Sequence, residues 1–250
     1  MSESAQTLES VAEEGVRLAT AAHDAGLRLR LLGGVAVWCH CPSARTPPLA
    51  RTYGDADFMG AAREGKRITA FMTEHGYEPD KMFNALHGAS RLNFNDPARD
   101  RPIDVLLDKF VMAHELDLRD SVSPDGLTVG LADLLMTKLQ VVSINEKDVR
   151  DLTALLVDHR FASDDIDLAR ILDATRNDWG LEHTMHGSLA TLGQMVSAFS
   201  LGAEQARTVD ERIAELSSAL HAAPKGAKWK MRARVGERVK WYEEPEEARG

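Results

Sequence analysis

The sequence predicts an α/β core, a helical second half and a terminal β-hairpin, on three observations. Short apolar runs at residues 27–32, 55–59, 90–95 and 102–107 alternate with helical patterns in the first half. From about residue 125 to 222 only helical periodicity remains. Pro224 and Gly226 then break the chain, and the run from Lys228 to Val235 alternates charged and apolar residues, as a strand does.

Each element has its own signal. Leu8, Val11, Val16, Ala19 and Ala22 recur at helical spacing over 8–25, and Gly26 closes that helix. The strand at 27–32 sets Arg28 and Arg30 against Leu27, Leu29 and Leu31, which predicts one wet face. It ends at Gly33 and Gly34, where a short helix over 34–41 begins. Pro42, Pro47 and Pro48 mark 42–53 as a loop. A strand at 55–59 and a helix at 61–75 follow, the helix ending near Gly76. Strands at 90–95 and 102–107, joined by the loop Asp96–Arg101, form an antiparallel pair. Helices are expected at 131–144, 146–158, 165–176, 182–199 and 203–221. Gly236 and Glu237 would turn the last strand back through Val239 to Tyr242. The domains are then 1–125, 126–222 and 223–250, the last a basic hairpin with an acidic tail.

Composition narrows the class of protein. With 250 residues, 44% of them hydrophobic, the chain can bury a full core. A formal net charge of −9 argues against a nucleic-acid coat over the whole surface, while leaving room for a local basic patch. Cys39 and Cys41 flank His40, too close for an unstrained disulfide and too few for a zinc site, so reduced thiols in a cytoplasmic protein are expected. The N-terminus lacks the basic start and apolar run of a signal peptide, and no stretch approaches membrane-spanning length.

The chemistry concentrates in three aspartates. Asp55 and Asp57 lie one residue apart after the glycine pair, so in a strand they share a face while Ala56 and Phe58 turn inward. Asp104 is a lone carboxylate among Ile103, Val105, Leu106 and Leu107, where a charge is costly unless a cation meets it. Phosphoryl transfer needs positioning and charge neutralisation more than covalent chemistry. Two divalent ions about 3.5–4 Å apart, held by carboxylates, supply both. Asp-X-Asp and Gly-Gly are weak signals singly. The ordered set of strand, Gly-Gly, helix, Asp-Ala-Asp and a later Ile-Asp-Val strand is the stronger one.

That ordered set resembles the nucleotidyltransferase superfamily of the DNA polymerase β type. Within it the chain is similar to the AbiEii/AbiGii and MenT-like toxin branch and to minimal bacterial nucleotidyltransferases. The matching runs are Leu31–Val37, Arg51–Asp57, Pro102–Leu106 and Leu131–Leu139, with Glu146–Asp151 after them. The resemblance implies an α/β (α+β) core with a mixed sheet and a magnesium-dependent enzyme with an NTP such as ATP as substrate. It makes Asp55, Asp57 and Asp104 ligands of two Mg2+ ions. Gly33 and Gly34 would present backbone N–H groups to the triphosphate, and Lys138 would neutralise its charge. Asp148 matches an acidic position of the family. The acceptor hydroxyl would belong to the 3′ end of a tRNA or other RNA, a protein or a small molecule, and a toxin would have an antitoxin partner. The chain departs from the family where many members have Gly-Ser: Val35 follows the glycines and offers no hydroxyl.

Other charged residues have competing explanations. Arg51 either pairs a phosphate or neutralises the acidic loop, and Arg91, which leads a strand, either reaches the cleft or, as the leading expectation, lies at the surface. Lys147, Asp148, Arg150 and Asp151 suit a solvated helix start with local ion pairs. Lys228, Lys230, Arg232 and Arg234, interleaved with Trp229 and followed by Trp241 and Tyr242, form a strip that can follow a nucleic-acid backbone and stack on bases. The plain alternative makes the tryptophans the core of the hairpin. A non-catalytic nucleotide- or partner-binding protein of the same fold is the second functional expectation, and a structural DNA-binding protein the third.

Overall fold

The computed structural model describes residues 7–122 and 126–244. The chain divides into two compact units. The first comprises Met1–His40, Thr52–Phe110 and Asp117–Gly130, and the second Cys41–Arg51, Val111–Leu116 and Leu131–Gly250.

The first unit opens with α1 (Val11–Asp24), whose N-cap Ser10 accepts from the Glu13 amide. Its buried stripe is Ala12, Leu18, Ala19 and Ala22. Gly26, at φ +62°, ends it in the left-handed conformation that glycine takes without steric cost. Glu14, inside this stripe, is 1% exposed yet fully engaged. Its carboxylate accepts from Arg17, from the Leu8 amide at 3.0 Å and from the Tyr77 hydroxyl at 2.7 Å.

The sheet is mixed. Its strands are β1 (Leu29–Leu32), β2 (Ala56–Gly60), β3 (Glu78–Pro79), β4 (Arg91–Asp96) and β5 (Arg101–Leu107), in the order β1-β2-β5-β4-β3. Only β2 and β5 run parallel; the other three pairings are antiparallel. The helices of this unit are α1, α2 (Gly33–His40), α3 (Gly65–Glu74) and α4 (Lys81–His87). One sheet face is apolar: Leu29 and Leu31, Ala56 and Phe58, Ile103 and Val105, and Leu92 and Phe94 are all buried. Gly15 of α1 lies against Leu31 and Ala56 on that face, and Ile68 of α3 lies at Gly60. The outer edge of β1 is not left open. Leu31 donates to the Leu127 carbonyl and accepts from the Val129 amide, so a passing segment completes its hydrogen bonds.

Two expectations for this unit are corrected. No face of β1 is wet: all four residues are buried, and Arg30 is 1% exposed. Its guanidinium donates to the Leu27 and Leu29 carbonyls, so alternating charge here marks satisfied burial rather than solvent. Between α3 and β4, β3 and α4 had no forecast. The helix α4 has an Asp80 N-cap but no buried residue, and periodicity had little to register.

The second unit is helical: α5 (Leu131–Leu139), α6 (Glu146–Asp158), α7 (Leu168–Thr175), α8 (Trp179–Met195), α9 (Ala203–Ala222) and α10 (Ala227–Val235). The first five fall where helical periodicity places them: α6 at its expected bounds, α9 one residue longer, α5 and α7 shorter, and α8 shifted toward the N-terminus. Asn145 and Asp148 form a capping box on α6, while Asp167 and Asp178 cap α7 and α8. A ribbon of two short strands, β6 (Lys109–Val111) and β7 (Glu115–Asp117), had no sequence forecast.

The terminal β-hairpin is also corrected. Residues 227–235 form α10, and the next turn is a short 3-10 segment, Gly236–Arg238. Alternation of charged and apolar residues gave the strand, but Met231 and Val235, its supposed inner side, are exposed. Ala, Lys, Met and Arg are good helix formers, and they prevail once Trp229 is anchored. Its indole donates to Glu182 Oε2 at 2.8 Å, beside Lys225 on the same oxygen at 2.5 Å. Of the acidic tail expected after Tyr242, residues 245–250 lie outside those described.

Candidate functional site

In the first unit the parallel pairing of β2 with β5 sets Asp57 opposite Asp104. Directly paired residues project from the same face, so these two carboxylates stand side by side. The antiparallel pairing of β4 with β5 extends the row to Asn93, which lies opposite Asp104. This is the polar face of the sheet: Asp57, Asp104, Asn93 and Arg91 are all partly exposed, and their strand neighbours Phe58, Val105, Leu92 and Phe94 are buried beneath them. Asp55 lies one residue before β2 and is exposed.

The glycine turn is built onto Asp57. β1 pairs Leu32 with Asp57, so the next residue, Gly33, arrives beside the carboxylate. Gly33 has φ +66°, and a Cβ there would stand 2.4 Å from Asp57 Oδ2. Any side chain there would be strained by the conformation and would displace the Asp57 carboxylate. Gly33 also starts α2, whose first-turn amides lack helical partners and orient toward negative charge.

Arg91 does not simply face solvent, as expected, but pairs with Asp104. Its Nε lies 2.8 Å from both carboxylate oxygens, and its Nη2 also donates to Oδ2. The hydrogen bond to Asp104 raises the Arg91 pKa; burial opposes that, and the charges of Asp104 and Asp57 add to it. On another side the guanidinium lies 5.8 Å from the centre of the Phe83 ring of α4. Phe83 is carried by a helix held to β4 by Asn84, whose amide donates to the Asn93 carbonyl at 3.0 Å and accepts from the Asn93 amide at 2.7 Å. The Asn93 side-chain oxygen is itself buried without a hydrogen-bond partner.

These residues suit a magnesium ion in chemistry and number. Magnesium is held by one or two carboxylates, with water and substrate phosphate completing its shell, rather than by an all-protein cage. Asp57 and Asp104 supply two such hard ligands in register. The bare Gly33 Cα keeps the space at Asp57 that a side chain would fill. Among the described residues no group of three or more His, Cys, Asp or Glu side chains gathers as a metal cluster.

The cations expected at phosphate are engaged within the second unit. Lys138 lies 2.8 Å from Asp151 and 3.6 Å from Asp148. Arg51 binds Asp151 in a two-pronged arrangement, with both contacts at 2.8 Å. Asp151 is 2% exposed, not part of a solvated helix start. Burial pushes its pKa up, but Lys138 and Arg51 outweigh burial and hold it below the usual aspartate value. Burial likewise opposes the charge of Lys138, yet Asp151 and Asp148 hold its pKa above the ordinary lysine value. Asp148 doubles as the capping-box residue of α6.

The basic strip is divided by its helical form. Lys228, Lys230 and Arg234 are exposed on α10. Arg232 instead donates to the Gly236 and Val239 carbonyls and lies over the Trp179 ring at 4.9 Å. Trp241 donates to the Thr184 hydroxyl at 3.1 Å and packs edge-on against Trp179 and His183. Both tryptophans therefore have occupied N–H groups, and the basic residues do not alternate with them along a strand.

Sequence reasoning weighed Arg91 for the cleft but set it at the surface, and missed the burial of Asp151. A signal for Arg91 existed: it shares the wet side of its strand with Asn93, and the short turn to β5 brings both to Asp104. Asp151 could have been found from its place one turn before Leu155, on the buried face of α6. The chain matches no protein-family description, and no curated protein matches it either.

Proposed function

We propose that the chain is a magnesium-dependent nucleotidyltransferase, moving a nucleoside monophosphate from an NTP to a hydroxyl acceptor. One observation carries this: Asp57 and Asp104 in register on parallel neighbouring strands, with a left-handed Gly33 against Asp57 at the start of a helix. Bound magnesium would neutralise triphosphate charge and favour deprotonation of the attacking hydroxyl. Asp57 and Asp104 would hold it, Asp55 would contribute from the loop before β2, and the first amides of α2 would meet phosphate oxygens. Asp104, nearest Arg91, would also favour removal of the acceptor proton.

The acceptor is proposed as the 3′ end of an RNA such as tRNA, with a protein side chain or small-molecule hydroxyl as the other acceptor classes. The exposed Lys228, Lys230 and Arg234 support an RNA backbone contact; Arg232 is occupied in capping. A toxin paired with an antitoxin, working in the cytoplasm, is the setting that goes with this activity. A second reading has its own support. The hold of Arg91 on Asp104 favours a protein that binds nucleotide or a partner without catalysis.

Incubation with each labelled triphosphate, magnesium and total tRNA, protein or small hydroxyl compounds separates the two. The enzyme reading expects label transfer that Asp57→Asn and Asp104→Asn abolish and Asp55→Ala abolishes or greatly lowers, each with an unchanged circular dichroism spectrum. Nucleotide binding without transfer, indifferent to these variants, would establish the non-catalytic reading instead.

A further inference from the structure

Arg91 is hydrogen-bonded directly to a predicted metal ligand, Asp104. It takes both oxygens of Asp104, and its guanidinium also senses the charge of Asp57. A metal ligand so occupied cannot present the same lone pairs to a divalent ion. The pairing is also easily undone: the Arg91 side chain is 43% exposed and that of Asp104 20%, so water can replace either partner at modest cost. Phe83 lies on another side of the guanidinium and is independent of Asp104. Arginine released from the carboxylate thus retains an aromatic surface and presents several N–H donors to whatever anion approaches. A planar, permanently charged fork suits phosphate as well as carboxylate.

We propose that Arg91 is a polyphosphate-binding residue stored on Asp104. In the empty site it competes with divalent metal for the carboxylate. When metal and polyphosphate bind together, Arg91 leaves Asp104 and pairs with phosphate oxygens. Binding of the two ligands is thereby coupled: each is weak alone and stronger with the other. This rests on the nucleotidyltransferase reading for the place of the metal, but assigns a residue and a linkage which that reading does not contain.

The test needs no turnover. Manganese binding to the full chain, followed by its electron paramagnetic resonance, is measured for wild type, Arg91→Gln, Arg91→Lys and Asp104→Asn, with and without inorganic tripolyphosphate. Arg91→Gln is expected to bind manganese alone about three- to ten-fold more tightly than wild type, because the competing charge is gone. It is expected to lose about ten-fold or more in tripolyphosphate affinity when manganese is present. Arg91→Lys should fall between on both counts, and matched thermal unfolding confirms intact folding. Unchanged or weaker manganese binding by Arg91→Gln overturns the proposal, as does unchanged tripolyphosphate binding. If wild type and Arg91→Gln both bind no manganese, or bind it equally well after Asp104→Asn, the metal site itself fails and the proposal falls with it. Equal binding by wild type and Arg91→Gln that Asp104→Asn abolishes overturns the proposal alone.

Discussion

Replacing Gly33 by alanine tests the link between the glycine turn and Asp57. Two costs are expected. A non-glycine residue at φ +66° loses about 1–2 kcal/mol to its own backbone. The added Cβ would also stand 2.4 Å from Asp57 Oδ2, where ordinary contact begins at 3.4 Å. Relief therefore needs about 1 Å of movement at the end of the Asp57 side chain, for a further cost of about 0.5–1.5 kcal/mol of off-rotamer strain. Gly26 supplies the control. Its φ is +62°, and a Cβ there meets nothing within 4 Å, so Gly26→Ala carries the first cost and not the second.

Urea unfolding of Gly26→Ala, Gly33→Ala, Asp57→Ala and the Gly33→Ala/Asp57→Ala double variant closes the cycle. Gly33→Ala should exceed Gly26→Ala by about 0.5–1.5 kcal/mol, and the excess should disappear once Asp57 is truncated. Manganese affinity should fall in Gly33→Ala, because its ligand has moved, and stay at the wild-type value in Gly26→Ala. On transfer activity, about 1 Å of displacement corresponds to a loss of about 100-fold. Equal destabilisation by the two alanines, or full additivity of Gly33→Ala with Asp57→Ala, would refute the argument that the turn is shaped around this carboxylate.

Two further predictions concern the second unit. Asp151→Asn should destabilise the fold by about 3–5 kcal/mol, since Lys138 and Arg51 would remain partly buried without their shared anion. The folded pKa of Asp151 is depressed, so its contribution is present above the unfolded value and is lost as pH falls through the folded one. That of Lys138 is raised, so its contribution is present below the unfolded value and lost as pH rises through the folded one. Wild-type stability should therefore drop more steeply than that of Asp151→Asn below about pH 4, read by urea midpoints across pH. The helical form of α10 makes a separate prediction: Met231→Lys should change stability by no more than about 0.5 kcal/mol, while Trp229→Ala costs about 3 kcal/mol or more. A large cost at Met231 would favour the hairpin arrangement.

Much of the sheet was readable because its polar face alternates with buried residues at period two. Asp57 between Ala56 and Phe58, and Asp104 between Ile103 and Val105, give their orientation directly. Their adjacency was not readable in the same way, because parallel pairing joins segments separated by α3, α4 and β4, and no local rule fixes that register. The partner of Asp104 was within reach: a short turn pairs Asp96 with Arg101, and counting back along both strands sets Asn93 opposite Asp104 and Arg91 opposite Leu106, diagonal to Asp104 on the same face. Charge patterns misled where burial overrode them. Arg30 and Asp151 look solvated in sequence and are buried with their partners, because carbonyl and ion-pair satisfaction comes from tertiary neighbours that a window does not contain. At α10 a period-two pattern lost to helix propensity and to an anchor, Glu182, lying on a different helix.

The magnitudes also decide which cation is available to phosphate. Lys138 is 14% exposed, and Asp151, its partner, 2%. Moving the ammonium to a ligand would take one of two cations from a nearly dry carboxylate, at a cost on the order of 3 kcal/mol if the pair behaves as other buried pairs do. Arg91 and Asp104 are wetter, and separating them costs on the order of 1 kcal/mol. A divalent ion on Asp104 would reverse even that sign, since it replaces the guanidinium as counter-charge. Lys138 and Arg51 are thus better suited to fixing α5 and α6 around Asp151 than to following a ligand, and Arg91 is the cation whose release the site itself can drive. Lys138→Met separates the two roles: it should lower stability by several kcal/mol and leave manganese-dependent tripolyphosphate affinity within about two-fold of wild type. Loss of that affinity in a stably folded Lys138→Met variant would return the phosphate role to Lys138.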